Sequence, residues 1–133
     1  MVEARRGGCQ CGHIRYELTE APLGVSVCHC RACQKQSGSA FGMSLHLPAT
    51  AFRLASGSLK TFEVVCDSGR IKTCAFCPEC GTRIFHRTER GLSVKAGTLD
   101  DPSGIVPDGH YWTRSKQAWV RIPEGVRQFP DDG

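Results

Sequence analysis

The stretch that decides the fold is Cys9-Gln10-Cys11-Gly12, taken together with its counterpart Cys77-Pro78-Glu79-Cys80-Gly81. Both segments end in Cys-Gly, and residues 12–76 lie between their cysteines. Glycine adopts a positive φ at little steric cost, so each segment is suited to a tight turn whose backbone N–H groups donate to thiolates. Four thiolates match the tetrahedral sulfur coordination that zinc prefers. We therefore expect one zinc ion on Cys9, Cys11, Cys77 and Cys80, with a structural role coupled to folding.

The distance between the two pairs along the chain bears on the kind of zinc site. An ordinary zinc ribbon has its pairs ~15–20 residues apart, and the gap here is much wider. The ion would therefore tie the first strand to the middle of a larger sheet. The alternative is that these cysteines are redox-active or simply buried.

A second cluster, Cys28-His29-Cys30-Arg31-Ala32-Cys33, places three further cysteines close together. Such short spacings are poor for disulfides, which need a specific Cα separation. We expect a strand end and the first turn of a helix to bring Cys28, Cys30 and Cys33 together, with Arg31 and Lys35 favouring the thiolate form. Three ligands leave one position of a zinc ion free, as in catalytic zinc sites. We therefore predict these three cysteines as the catalytic group.

The sulfur ligands of the second cluster also indicate its chemistry. They make zinc a softer Lewis acid than histidines would, which favours binding and deprotonating a substrate thiol over making hydroxide. One alternative is a structural site that His29, His110 or Cys66 closes as the fourth ligand. An iron–sulfur cluster is the other, although the spacing resembles none of the common ferredoxin patterns.

Composition and charge limit the class of protein. A chain of 133 residues is the size of one domain, which we take to be residues 1–133. The net charge of +4 is scattered, which does not favour nucleic acid but fits an anionic small substrate. No apolar run approaches the ~20 residues of a membrane span, and the N-terminus has no apolar segment typical of a secretory signal. We expect a cytoplasmic protein with reduced thiols.

The hydrophobic periodicity is mostly two, which predicts a mainly β protein with antiparallel sheets and at most one or two short helices. Strands are predicted at residues 12–20, 41–47, 59–65, 70–76, 82–86 and 92–96, with turns at 55–58, 67–69 and 89–91. Only residues 31–37 look helical, and Gly38 would end that helix. We expect the irregular tail from Asp100 to pack Tyr111, Trp112 and Trp119 on the core.

The remaining cysteines and histidines have plainer interpretations. Cys66 and Cys74 are expected to be small buried hydrophobic residues. Three histidines in strand patterns or turns are expected to be ordinary surface or packed residues: His13, His46 and His86. His29 and His110 are better candidates for orienting ligands or transferring protons. The segment 37–42 either forms a wall of the substrate pocket or simply ends the helix before a strand.

Four segments together resemble the glutathione-dependent formaldehyde-activating enzyme family, which shares its domain with centromere protein V. They are Gly-Gly-Cys-Gln-Cys-Gly-His-Ile-Arg-Tyr-Glu at 7–17, Cys-His-Cys-Arg-Ala-Cys-Gln-Lys-Gln-Ser-Gly-Ser-Ala-Phe-Gly at 28–42, Phe-Cys-Pro-Glu-Cys-Gly-Thr at 76–82 and His-Tyr-Trp-Thr-Arg-Ser-Lys-Gln-Ala-Trp at 110–119. The resemblance runs from about Gly7 to about Phe129, nearly the whole chain.

The resemblance implies a single β-tent domain with a core at about 7–129. It implies a structural zinc on Cys9, Cys11, Cys77 and Cys80, and a second, labile zinc on Cys28, Cys30 and Cys33. The activity it implies is that of a carbon–sulfur lyase run in reverse, which adds glutathione to formaldehyde.

Three hypotheses for the function follow. The first is a zinc enzyme in which a small thiol such as glutathione attacks formaldehyde or another small aldehyde. The second is a non-enzymatic zinc module that binds a protein or nucleic acid; Arg83, Arg87 and Arg90 form only a modest basic cluster of the kind that is usually a solvated face. The third is a thiol-redox protein with a cysteine pair that cycles between dithiol and disulfide.

Overall fold

The computed structural model describes residues 5–66 and 69–132, and in these residues the protein is mainly β. The strands are β1 (Arg5–Gly8), β2 (Arg15–Leu18), β3 (Gly24–Cys28), β4 (Gly42–Leu47), β5 (Phe52–Ser56), β6 (Lys60–Val65), β7 (Ile71–Phe76), β8 (Arg83–Thr88), β9 (Gly91–Lys95), β10 (Gly109–Tyr111) and β11 (Arg127–Gln128). One α-helix, α1 (Arg31–Ser37), lies between β3 and β4, and short 3₁₀ helices cover Ala49–Ala51, Ala96–Thr98 and Thr113–Ser115. Throughout the described part, every helix is too short or too polar to cross a bilayer.

The strands form two sheets. The smaller one has the order β1-β2-β5 and is antiparallel. The larger one has the order β11-β10-β3-β4-β9-β8-β7-β6. It is antiparallel except where β10 pairs in parallel with β3 and β11. These two parallel pairs differ from the antiparallel pairing that was expected. They are possible because long connections separate β10 from β3 and from β11 along the chain.

The core lies between the two sheets. In β2, Tyr16 and Leu18 are buried whereas Arg15 and Glu17 alternate outward, as the period of two predicts. The Phe52 ring of the small sheet stacks on Tyr16 and meets the Phe85 ring of the large sheet edge to face, at centroid distances of 5.0 and 4.9 Å. The large sheet contributes Val25, Leu45, Leu47, Ala75, Phe85, Leu92 and Val94 to the same cluster.

The opposite face of the large sheet carries polar side chains. His46 Nε2 lies 2.6 Å from Ser26 Oγ, and its Nδ1 lies 3.3 Å from Ser93 Oγ. Lys95 Nζ donates to Ser44 Oγ at 3.2 Å. Of the histidines expected to be packed or at the surface, His46 and His86 therefore form hydrogen bonds on this face. His13 is instead exposed, and its Nε2 accepts a hydrogen bond from the Ser58 N–H at 3.3 Å.

Helix α1 has the predicted bounds because both of its ends are capped locally. Cys30 is the N-cap, and its Sγ accepts from the Cys33 N–H at 3.2 Å. Gly38 ends the helix with φ 63°, and its N–H bonds to carbonyls of the last turn. A left-handed C-cap of this kind favours glycine.

Several expectations need correction. The prediction missed β1, β3, β5, β10 and β11, because these strands are short and carry little apolar alternation. Strand β5 runs to Ser56, so the turn predicted at 55–58 begins later. The turn predicted at 67–69 includes Asp67 and Ser68, which lie outside the described residues. Cys74 is buried as expected, but Cys66 is only half-buried.

The aromatic tail is only partly as expected. Trp119 is 69% exposed, so its placement on the core was wrong. Its indole N–H donates to Gln117 Oε1 at 2.7 Å on the surface, which meets the need of that group for a polar partner. Tyr111 and Trp112 are half-buried, and the Tyr111 ring stacks on Phe129 at 4.8 Å.

Gly7 provides a test of how closely β1 packs against Tyr16 and the backbone of the 3₁₀ helix Ala96–Thr98. A Cβ at this position would lie 2.5 Å from the Thr98 carbonyl oxygen and against the Tyr16 ring. We expect Gly7→Ala to destabilise the protein by about 1–3 kcal/mol, as overpacking does, measured by denaturant unfolding. Gly97→Ala is the control, because a Cβ there has no neighbour within 4 Å, and its effect should stay within about 0.5 kcal/mol. Equal effects of the two substitutions would contradict the close approach.

Candidate metal centres

The four-cysteine group (Cys9, Cys11, Cys77 and Cys80) comes together from two turns. The first turn joins β1 to β2 and the second joins β7 to β8. All four Sγ atoms lie within 4.8 Å of one another, with Cys9 to Cys11 at 3.6 Å and Cys11 to Cys77 at 3.8 Å. A tetrahedral ion with metal–sulfur bonds of about 2.3 Å separates its ligand sulfurs by roughly 3.8 Å. The group is therefore able to hold a metal ion.

The two turns share the backbone pattern that their sequences indicate. Gly12 and Gly81 have φ of 86° and 81°, so both glycines adopt the predicted positive φ. The Ile14 N–H donates to Cys9 Sγ at 3.1 Å, and the Glu79 N–H donates to Cys77 Sγ at 3.3 Å. Although burial opposes it, hydrogen bonding by Ile14 and the neighbouring thiols leaves the pKa of Cys9 below its usual value. Each turn thus donates a backbone hydrogen bond to one of the sulfurs that it places.

Thr82 connects the two turns and was not singled out in the sequence. Its Oγ1 accepts from the Gln10 N–H at 3.1 Å and lies 3.2 Å from Cys80 Sγ. Hydrogen bonding from this hydroxyl and from the Thr82 backbone lowers the pKa of Cys80 to about 5. The sequence signal for this role was the position of Thr82 directly after the second Cys-Gly, because a hydroxyl at that place in the turn can reach the sulfur of Cys80.

The three-cysteine group (Cys28, Cys30 and Cys33) lies where β3 passes into α1. Cys28 ends the strand, Cys30 caps the helix and Cys33 is in its first turn, which is the arrangement predicted from the spacing. The three Sγ atoms also lie within 4.8 Å of one another. Hydrogen bonds from Cys28 and Cys33 lower the pKa of Cys30 to about 2, and the same contact with Cys30 raises the pKa of Cys28. Of the three sulfurs, Cys30 is thus the one whose hydrogen bonds most favour the thiolate form.

No fourth side chain from the described residues joins this group. His29 is buried, and its Nε2 lies 2.9 Å from His110 Nδ1 on β10, while its Nδ1 is buried without a partner. Cys66 lies at the far end of β6. The alternative of a site closed by His29, His110 or Cys66 thus finds no support here.

A cavity of about 480 Å³ is lined by Gly42, at which a Cβ would lie 3.5 Å from Cys33 Cβ. Cys80 of the four-cysteine group lines it as well, whereas Cys28, Cys30 and Cys33 do not. Its wall combines parts of α1, β4 and β9 with both sulfur turns. The lining includes Gln10, Gln36, Ser37, Phe41, Gly42, Met43, Cys80, Arg83 and Lys95. In the segment 37–42, Gly38 ends the helix, and Ser37, Phe41 and Gly42 line the cavity.

Positive charge is concentrated beside the three-cysteine group. Burial lowers the pKa of Lys95; Cys33 and Cys28 oppose this shift, whereas Lys72 and Arg83 add to it. Lys72 and Lys95 were not predicted as site residues, because β7 and β9 come together with β8 only in the folded sheet.

Arg83 departs from its predicted place in a solvated basic cluster. It lies 5.0 Å from the centroid of the Phe62 ring, and its Nη1 lies 2.8 Å from His86 Nε2. Arg87 and Arg90 are exposed, in contrast. The expected cluster of three arginines is therefore divided between the cavity and the surface.

Comparisons with known proteins address the family and the fold. The sequence model of the family described as glutathione-dependent formaldehyde-activating enzyme matches residues 4–115. The comparison with curated proteins gave no match. The fold is similar to the crystal structure of a Rhodobacter sphaeroides protein, a Northeast Structural Genomics target, with a TM-score of 0.56 and 19% identity over 77% of this chain and 91% of that chain. At this identity the likeness concerns the fold alone.

The two groups should respond differently to loss of one ligand. We expect the protein to bind two metal ions, and Cys80→Ser and Cys30→Ser each to bind one, measured by metal analysis of the purified protein. Cys80→Ser should also destabilise the fold by more than about 4 kcal/mol, as loss of a metal that connects distant segments does. Cys30→Ser should have a much smaller effect on stability, because its group spans one short segment.

Cys66→Ser is the matched control and should keep both ions, because Cys66 belongs to neither group. Retention of two ions by Cys80→Ser would contradict the assignment of the four-cysteine group.

The lowered pKa of His86 makes the stability of the folded protein sensitive to acid. Burial, followed by the charges of Lys95, Lys72 and Arg83, lowers this pKa from 6.5 to about 3. Between these values the unfolded chain binds a proton that the folded protein does not. The stability that neutral His86 contributes is therefore present above pH 6.5 and is lost as the pH falls toward 3.

We expect His86→Gln to reduce the slope of unfolding free energy against pH below 6.5, measured by denaturant unfolding at a series of pH values. Wild type and variant carry the same cysteines, so the difference in slope isolates the imidazole. His13→Gln is the control, because His13 is exposed. An unchanged slope in His86→Gln would show that His86 titrates alike in the folded and unfolded states.

Proposed function

The chain belongs to the glutathione-dependent formaldehyde-activating enzyme family, and we propose that it joins a small thiol to a small aldehyde at the three-cysteine group. The thiol is glutathione-like, and the aldehyde is formaldehyde or a close homologue. The observation that supports this proposal is a group of three sulfur ligands next to Gly42, a residue that lines a cavity of about 480 Å³. A cavity of this size is typical of small-molecule sites.

The chemistry of the donor atoms favours zinc as the metal in both groups. Sulfur-only ligand sets suit zinc, and four thiolates close a structural site whereas three leave a position open. Zinc on the three-cysteine group would supply a Lewis-acidic position that binds the substrate thiol and lowers its pKa. Thiolate ligands need a reducing compartment, so we place the protein in the cytoplasm.

The reaction requires no oxidant or reductant. The substrate sulfur forms a bond to the carbonyl carbon, the carbon–oxygen π bond breaks, and the thiol proton ends on the new hydroxyl oxygen. Lys95 and Lys72 favour the anionic form of the sulfur through their charge, since both act electrostatically on the three-cysteine group. Phe41 and Met43 offer apolar surface to the carbon atoms of the two substrates. Holding the reactants together in this cavity supplies the proximity that a bimolecular addition lacks in water.

Trp119 is the one observation that favours a non-enzymatic binding module. Its exposed ring lines a surface depression together with Arg31 and Lys35, and an aromatic beside cations is a common element of nucleic-acid sites. Arg83 and Lys95 line the cavity near the three-cysteine group instead, which favours a small substrate. Steeply salt-dependent binding of DNA, abolished in Trp119→Ala, would support the module instead.

The proposed activity is tested by NMR exchange between formaldehyde and glutathione. The adduct forms unaided, so the measured quantity is the exchange rate with protein relative to the rate without it. We expect an acceleration of at least about tenfold, equivalent to about 1.4 kcal/mol, and its loss in Cys30→Ser.

Cys66→Ser should retain the acceleration, because Cys66 lies outside both groups. An exchange rate equal to that of the protein-free solution, or full activity in Cys30→Ser, would refute the proposed function.

A further inference from the structure

The tail segment, residues 110–117, carries none of the clustered cysteines, yet it contacts the three-cysteine group directly. His29 stands between two cysteines of that group and is fully buried. Its backbone N–H donates to the Tyr111 carbonyl at 3.0 Å, and its ring Nε2 lies 2.9 Å from His110 Nδ1. The tail segment therefore fixes both the backbone and the side chain of a residue that two of the sulfurs flank.

A buried glutamine makes a second connection between the tail segment and the sulfurs. Gln34 is the buried residue of α1 and is only 4% exposed. Its Nε2 donates to the His29 carbonyl at 2.8 Å and to the Ser115 carbonyl at 3.0 Å. Its Oε1 accepts from Gln117 Nε2 at 3.0 Å and from the Arg31 guanidinium. Because an amide side chain has two N–H donors and two acceptor lone pairs, every hydrogen-bonding position of Gln34 is used.

This use of Gln34 indicates positioning rather than packing alone. An apolar side chain of similar size would fill the same space without the cost of burying an amide. What the amide adds is direction, since it holds the His29 carbonyl at a fixed place. A peptide unit is planar, so the His29 carbonyl shares a plane with Cys30 Cα, and the His29 N–H shares one with Cys28 Cα. Fixing both groups of His29 therefore fixes the backbone that carries these two sulfurs.

A strained turn in the tail segment brings it to Gln34. Trp112 has φ 56°, the one positive φ among the described residues other than glycine, and a side chain makes this conformation unfavourable. The turn starts the 3₁₀ helix Thr113–Ser115, whose last carbonyl accepts from Gln34. N–H groups of the turn donate to the Phe129 and Asp131 carbonyls, each at 3.0 Å. The end of the chain thus stabilises the strained conformation that places this carbonyl against α1.

We infer that the tail segment is the positioning element of the three-cysteine group, and that Gln34 and His110 are the positioning residues through which it acts. They hold the three sulfurs in the metal-binding arrangement while a ligand at the open position is bound and released. A metal ion then meets ligands that are already in place. This inference rests on the proposed function, because it takes the three-cysteine group as the reaction site. Hydrogen bonds around metal ligands typically change metal affinity by about 10–100-fold.

The test uses the protein loaded with ¹¹³Cd²⁺, whose NMR resonance depends on the number and geometry of its sulfur ligands. Cys30→Ser identifies the resonance of the three-cysteine group by its loss. In Gln34→Leu we expect this resonance to shift and the affinity of the group for Cd²⁺ to fall about 10–100-fold, measured by competition with a chelator. The resonance of the four-cysteine group should stay unchanged, because other turns carry its ligands.

Two substitutions of His110 give an independent result, which also decides the question if Gln34→Leu fails to fold. His110→Leu removes the polar contact with His29, so the affinity for Cd²⁺ should fall as it does in Gln34→Leu. His110→Asn keeps a polar atom in the place of Nδ1 and should restore most of the affinity. Gln128→Leu is the matched control, because it makes the same chemical change at an exposed position of β11, and it should leave both resonances unchanged.

The outcomes separate this inference from the function on which it rests. Wild-type resonances and affinities in both Gln34→Leu and His110→Leu would overturn the positioning role. Equal loss of affinity in the two cysteine groups would also overturn it, because that result would show a general loss of structure. If the Cd²⁺ results are as expected but the wild type does not accelerate the exchange of formaldehyde and glutathione, the proposed function fails and the positioning role stands.

Discussion

The convergence of four cysteine sulfurs, all within 4.8 Å of one another, is the constraint on which the rest of the structure depends. The turn between β1 and β2 belongs to the small sheet, and the turn between β7 and β8 belongs to the large one. An ion on the four-cysteine group therefore connects the two sheets directly, across residues 12–76 of the chain. Cys9 and Cys77 are themselves part of the core between the sheets, and Thr82 joins the turns through its hydroxyl. Metal binding and burial of apolar surface thus favour the same arrangement.

Fixing the sheets in this way also builds the cavity. The order β4-β9-β8-β7 brings Lys95, Arg83 and Lys72, which lie on three different strands, near His86. Strand β4 carries Gly42 next to α1, which follows directly from the three-cysteine group. The second turn contributes Cys80 to the cavity wall. The four-cysteine group therefore influences the candidate reaction site by position, without taking part in it.

The features that could be predicted from the sequence are those with local determinants. Helix α1 is specified by Cys30 and Gly38 at its ends, and Gly12 and Gly81 reveal the two sulfur turns. Strands β2 and β4 show clear alternation. Strand β3 lacked such a signal, because Val25 and Val27 give only two apolar positions. The exposure of Trp119 and the separation of Arg83 from Arg87 and Arg90 depend on which strands become neighbours, which no local pattern encodes.

The two cysteine groups depend on the fold to different extents, and this difference bears on which thiol the three-cysteine group can select. Residues 28–33 present three sulfurs from one short segment, so the sulfurs themselves come from a strand end and a helix turn. Selection of a thiol needs groups placed around the sulfur, and these come from elsewhere: Gln36 from the last turn of α1, Gly42 from β4 and Lys95 from the end of β9. Chains with the same seven cysteines could therefore bind different thiols through changes at these distant positions.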